Sequence, residues 1–156
     1  PASRRPHVVG AALAKTESTE PSFGARPVMG WGSYYGYEHD GKETSVTEAM
    51  IRGQADNLVS TGLAKAGFRL IFPDDMGFFQ RDAATGRLNA TTAAFPSGFR
   101  ALGDYVHGKG LLWGVYSDSG TRTCGPGAGM LGHEEDDAKT FASWGVECDL
   151  SLPLRH

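Results

Sequence analysis

The strongest constraint on the fold is an alternation of two kinds of apolar patterning. Short, nearly continuous apolar runs at 27–31, 68–72 and 111–116, with another beginning at Val146, are separated by longer stretches whose apolar residues recur at helical spacing. Pro27 to Trp31 reads as a strand that enters the Gly-rich, aromatic loop Gly32-Ser33-Tyr34-Tyr35-Gly36-Tyr37. Ser45-Val46-Thr47-Glu48 fits a capping box, and Ile51, Ala55, Leu58 and Val59 then fall on one face of a helix ending near Gly62. Phe68 to Phe72 is a second strand, stopped by Pro73. Ser97 is expected to cap a helix carrying Phe99, Leu102 and Val106, with Gly108 and Gly110 as stops. Leu111 to Tyr116 is almost wholly apolar, as in a parallel strand covered on both faces. His133 to Asp137 opens a third helix with Ala138, Phe141 and Ala142 on its buried side, closed by Gly145.

The order β, α, β, α, β, α, β predicts an α/β fold with a parallel sheet and right-handed crossovers. The strand-to-strand spacing of about 35 to 43 residues suits a barrel or a doubly wound sheet. Polar and aromatic residues gather after the carboxyl ends of the strands: Trp31 and Tyr34, then Asp74 and Asp75, then Tyr116 and Asp118. Both architectures bind ligands there, but a dinucleotide binder carries a Gly-rich phosphate turn after its first strand, and Gly30-Trp31-Gly32 is not followed by the required glycine. The expected fold is therefore the front part of a (β/α)8 TIM barrel, with three βα units and part of a fourth strand. The chain has 156 residues, whereas a whole barrel takes about 250. Residues 1–26 lack periodicity and read as a leader, and residues 27–156 as the barrel portion. Within the leader, Arg4 and Arg5 precede the apolar stretch Val8 to Ala14, the order of a signal peptide's regions, but seven weakly apolar residues make no convincing signal peptide and a disordered leader is the expected reading.

Charge and composition exclude several classes. A net charge of −3 and the absence of a basic stripe argue against nucleic acid as a partner. No apolar run has the 18 or so residues that suggest a membrane span. Two cysteines, Cys124 and Cys148, rule out a disulfide-stapled mini-fold. His133 stands beside four acidic residues, but no second His follows one helical turn later, so helix-dipole stabilisation explains the run and no metal site is expected. Ser117 and Ser119 lack the Gly-x-Ser-x-Gly elbow of serine hydrolases. No chemistry is assigned to His107.

Asp74 and Asp75 are adjacent, so on an extended chain they point apart and do not form a close catalytic pair. Carboxylates at a strand end are well suited to accept hydrogen bonds from sugar hydroxyls. Trp31, Phe78 and Tyr116 offer apolar faces to the C–H side of a pyranose.

A set of segments kept in order carries a family resemblance: Met29-Gly30-Trp31, Gln54 to Leu63, Asp74-Asp75, Arg81-Asp82, Phe95-Pro96-Ser97-Gly98, Asp104 to Leu111, Gly114 to Gly120, Thr123-Cys124, and Gly132 to Val146. Together they resemble the N-terminal half of the α-galactosidases (melibiases) of glycoside hydrolase family 27. The resemblance implies a (β/α)8 domain that releases terminal α-galactose from galactosides with retention of configuration, without a cofactor. It also implies a secreted or vacuolar/lysosomal protein whose partner is an α-galactoside oligosaccharide or glycoconjugate. By position, Trp31 corresponds to the family's sugar-stacking tryptophan, Asp74 and Asp75 to carboxylates that hold galactose hydroxyls, and Tyr116 to its active-site tyrosine. Cys124 corresponds to a cysteine that forms a disulfide with one just after the nucleophile.

The resemblance also implies what is missing. After Trp144-Gly145-Val146 the family places a Lys and then a nucleophilic Asp, where this chain has Leu150 and Leu152. The expectation is that the chain stops short of both catalytic carboxylates, carries no catalytic residue of its own and is inactive alone. The alternatives are a non-catalytic galactose-binding protein, or the α-N-acetylgalactosaminidase and β-L-arabinopyranosidase activities of the same family.

Overall fold

The computed structural model describes residues 27–34, 46–74, 79–90 and 93–152. Asp75, Phe78, Ser45, the leader 1–26 and the tail 153–156 lie outside the described residues.

In chain order the elements are β1 (Gly30–Gly32), α1 (Glu48–Ser60), β2 (Leu70–Phe72), β3 (Phe79–Arg81), β4 (Leu88–Ala90), α2 (Gly98–Gly108), β5 (Leu112–Asp118), α3 (Glu134–Ser143) and β6 (Cys148–Leu152). The four strands β1, β2, β5 and β6 pair in that order, all parallel. Each crossover carries one helix, as the alternation predicts. The second crossover also contains an antiparallel hairpin, β3 with β4, which the apolar pattern does not show. Its turn is nonetheless written locally. Asp82 accepts the backbone N–H groups of Ala84 and Thr85, and Gly86 takes φ +69°, a polar turn with a left-handed glycine.

Three details depart from the sequence reading. The cap of α1 is Thr47, whose hydroxyl accepts the Met50 N–H at 3.3 Å. Ser97 makes no capping hydrogen bond with its side chain; its backbone N–H donates to Glu48 Oε2 at 2.8 Å, joining the two helix starts. β5 and β6 begin later than their apolar runs, because the first residues of those runs close the preceding helices. Leu111 N–H donates to Val106 O and Val146 N–H to Phe141 O, past Gly110 and Gly145 at φ +74° and +76°.

Register sorts the sheet into two faces. Trp31, Ile71 and Trp113 stand abreast across β1, β2 and β5. Ile71, Trp113 and Val115 pack with Ile51, Ala55 and Leu58 of α1, Phe99, Leu102 and Val106 of α2, and Phe141 of α3. Val59, expected in this core, is 40% exposed. The core is densely aromatic: Phe79, Phe95, Phe99, Phe141, Trp113 and Trp144 form a run of ring pairs with centroids 4.7–5.9 Å apart, the spacing at which tilted and edge-on rings attract. On the other face Leu70 and Phe72 fill the space left by glycines on both neighbouring strands. A Cβ on Gly114 would stand 3.0 Å from Leu70 Cδ1 and 3.2 Å from Phe72 Cβ, and one on Gly32 would run into the Phe72 ring.

Candidate functional site

The carboxyl ends of the parallel strands bring together much of what the sequence singles out. After β1, Ser33 is fully buried, and its hydroxyl accepts the Asp74 N–H at 2.8 Å. Pro73 precedes Asp74 and has no N–H to donate, so this bond holds the half-buried Asp74 to the end of the neighbouring strand. Asp74 is thereby presented at the sheet's carboxyl edge.

Trp31 is half-buried, in register with the core residues Ile71 and Trp113, and packs against the core cluster. Tyr116 lies two residues before the end of β5 and is 6% exposed. Its hydroxyl donates to Cys124 Sγ at 3.6 Å. Cys124 is exposed on the loop that follows β5, Cys148 is buried on β6, and the two form no disulfide with each other.

Asp118, one of the polar residues near a strand end, is the most deeply placed carboxylate of this edge among the described residues. Strand alternation puts it on the same face as Tyr116. It is fully buried; Oδ1 accepts the Gly120 N–H at 2.6 Å, and Oδ2 has no hydrogen-bond partner among the described residues. Its backbone carbonyl accepts the Met130 N–H at 2.8 Å. The loop 119–133 therefore starts and returns at the same residue. Inside the loop, Thr123 N–H donates to Gly127 O and Gly127 N–H to the Thr123 hydroxyl, both at 3.1 Å, on either side of Cys124.

The returning limb of the loop is held from outside. Arg81, at the end of β3, donates from Nη1 to Gly86 O at 3.1 Å and Asp137 Oδ1 at 2.9 Å. Its Nη2 donates to Gly129 O at 2.6 Å and Asp137 Oδ2 at 2.5 Å. Asp137, on α3, is fully buried. This pair corrects the expected face of α3: Asp137 and Phe141 point inward, while Ala138 and Ala142 are exposed. A buried carboxylate is tolerable here because a planar guanidinium meets both of its oxygens. The partner lies 56 residues upstream, beyond the reach of a local pattern.

The acidic opening turn of α3 behaves as a helix start. Its own and Gly132's backbone N–H groups hold the Glu134 carboxyl below its ordinary range. His133 sits at the cap position without a side-chain capping bond. Among the described residues no three His, Cys, Asp or Glu side chains are grouped so as to hold a metal ion. Among the same residues no helix is long and apolar enough to cross a membrane.

Several known proteins with this arrangement are alpha-galactosidases by name. The chain is 48% identical over 129 residues to the alpha-galactosidase of Cyamopsis tetragonoloba, covering 82% of this chain and 30% of the relative. The structure matches that of alpha-galactosidase I from Mortierella vinacea with a TM-score of 0.74 and 34% identity, covering 81% of this chain and 31% of that one. It matches the Saccharomyces cerevisiae alpha-galactosidase solved with raffinose at 0.74 and 32%, covering 81% and 27%. This chain thus spans about a third or less of the length of these relatives. Residues 26–151 match the family model described as alpha galactosidase A, a melibiase model, and the chain belongs to that family.

Proposed function

We propose that this chain forms one wall of the galactose site of an α-galactosidase, a retaining glycoside hydrolase that removes terminal α-galactose from oligosaccharides or glycoconjugates. In this reading the four parallel strands are an arc of a (β/α)8 barrel. Asp74 and Asp75 accept hydrogen bonds from galactose hydroxyls and Tyr116 contributes its hydroxyl and ring edge, while Trp31, whose register puts it on the helix-facing side of the sheet opposite Tyr116, backs the wall from behind. The observation that carries the reading is the coincidence of the family match with the placement of Asp74 and Tyr116 at the carboxyl edge of one parallel sheet, the edge at which barrel enzymes bind their substrates. The secreted or vacuolar/lysosomal destination belongs to the same proposal.

Retaining hydrolysis requires two carboxyl groups about 5–5.5 Å apart, one nucleophilic and one acting as acid and base. The expectation from the sequence is that residues 27–156 carry part of the galactose pocket and do not supply that pair. The test separates holding from cleaving. The 156-residue chain is titrated with D-galactose and with D-glucose by calorimetry and assayed for release of p-nitrophenol from the α-galactoside. Saturable binding that prefers galactose, without release, is the expected result. No galactose preference at millimolar sugar would overturn the reading. Release by the purified chain would show that the catalytic carboxylates lie within it.

A further inference from the structure

The Arg81 contacts join three elements at one side chain: the hairpin turn at Gly86, α3 at Asp137, and, at Gly129, the loop that carries Cys124. We propose that Arg81 is a positioning residue: it fixes the returning limb of loop 119–133 from outside the site and thereby sets where Cys124 stands against Tyr116. The inference rests on the sugar-site reading of Tyr116 for its functional meaning, but its geometry is independent of that reading.

The anchoring can be followed bond by bond. Arg81 Nη2 holds the Gly129 carbonyl, and beside it the Ala128 N–H donates to Phe79 O at 2.9 Å, so the limb is tied to β3 at consecutive residues. Ala128 in turn bridges back to Arg122, and Gly129 N–H donates to Thr121 O at 3.2 Å. The two limbs come so close that a Cβ on Gly129 would stand 2.8 Å from Arg122 N. Whatever holds 128–129 therefore also holds 121–122, two residues before Cys124. Asp137 keeps the guanidinium plane in place from the far side, with only 19% of the Arg81 side chain exposed.

A lysine cannot do this work. Its single ammonium cannot span a carboxylate and two carbonyls on different sides, whereas the guanidinium fork presents separate N–H groups to each. Arg81→Lys therefore keeps the charge and the pairing with Asp137 and gives up the Gly129 contact.

The test is amide hydrogen exchange, resolved by residue, on the full 156-residue chain and on Arg81→Lys. Thr123 and Gly127, whose N–H groups close the Cys124 turn, are expected to exchange about tenfold faster, while amides of β5 and α2 keep their rates. Unchanged exchange at Thr123 and Gly127 overturns the proposal. So does a parallel rise in β5 and α2, which would make Arg81 a contributor to global stability alone. Asp137→Asn, which removes the charge behind the guanidinium at nearly constant shape, is expected to give the same selective pattern more weakly. If both variants unfold outright, the positioning role is overturned in favour of a folding role. Galactose titration of the same samples separates the two readings. If the original chain binds no galactose, the sugar-site reading fails while the exchange result still decides the role of Arg81.

Discussion

The two sides of the strand layer are held by opposite means. Against the helices, interlocked rings and aliphatic side chains leave Ile51, Ile71, Leu102, Trp113 and Val115 with no exposed surface. At the carboxyl edge the order comes from single, directed bonds: Ser33 to Asp74, Asp118 to Gly120, Thr123 to Gly127, Arg81 to Gly129. A packed core loses stability in proportion to the volume removed and tolerates small displacements badly everywhere. A hydrogen-bonded edge loses little when one bond goes, because each is worth about 1 kcal/mol net. What it loses is the placement of a particular side chain. Substitutions on the helix side should therefore be read in melting curves, and those at the edge in ligand affinity or local exchange.

The largest expected effect tests the first half of that contrast. Phe99 touches Phe79, Phe95, Trp113 and Trp144, and Phe99→Ala should lower unfolding free energy by about 3–5 kcal/mol in denaturant titrations. A loss under ~1 kcal/mol would mean that the aromatic cluster is looser than its ring distances indicate. Next comes overpacking. A Cβ at Gly103 would stand 2.6 Å from Trp144 O and 2.8 Å from the Trp113 ring, so Gly103→Ala should cost about 1–3 kcal/mol despite its better helix propensity.

A smaller effect depends on pH. Burial works to raise the Glu48 carboxyl, but the Ser97 N–H, the Arg52 guanidinium and the Ser97 hydroxyl together hold it below its ordinary value. A carboxyl lowered on folding contributes stability that is present above its unfolded pKa of about 4.3 and is lost as pH falls through the folded value. Glu48→Gln should thus be less stable by about 1 kcal/mol at pH 7. The gap should close in acid, and denaturant midpoints at pH 7 and pH 3 would show whether it does.

The smallest global effect belongs to the edge. Tyr116→Phe removes the donor to Cys124 and should leave the melting midpoint within the scatter expected for about 1 kcal/mol. It should weaken galactose binding severalfold. A melting loss as large as that of Phe99→Ala would erase the distinction between the two sides.

Element order was legible because strands covered on both faces and helices with one buried face leave different periods in the text. Boundaries were less so, since Leu111 and Val146 look like strand residues but spend their N–H groups closing helices. The hairpin escaped because each of its strands has three residues, too few for alternation to register, although the Asp82 to Gly86 turn carried a usable signal. At the site, Asp74 and Tyr116 stood out through chemistry and position. The roles of Ser33, Asp137 and Arg81 did not, because each acts through a partner at least 41 residues away in sequence. Asp118 could have been found by counting two residues from Tyr116 along an alternating strand.

The glycines flanking the middle strands carry one more consequence. Leu70 and Phe72 occupy volume that Gly32 and Gly114 leave vacant, so these positions share a single allotment of space and cannot drift independently. Enlarging Gly114 is expected to be harmful alone and tolerated when Leu70 shrinks in the same molecule. Among related sequences, bulk on that face should migrate between strands while its sum stays nearly constant, a covariation that residue-by-residue comparison would miss.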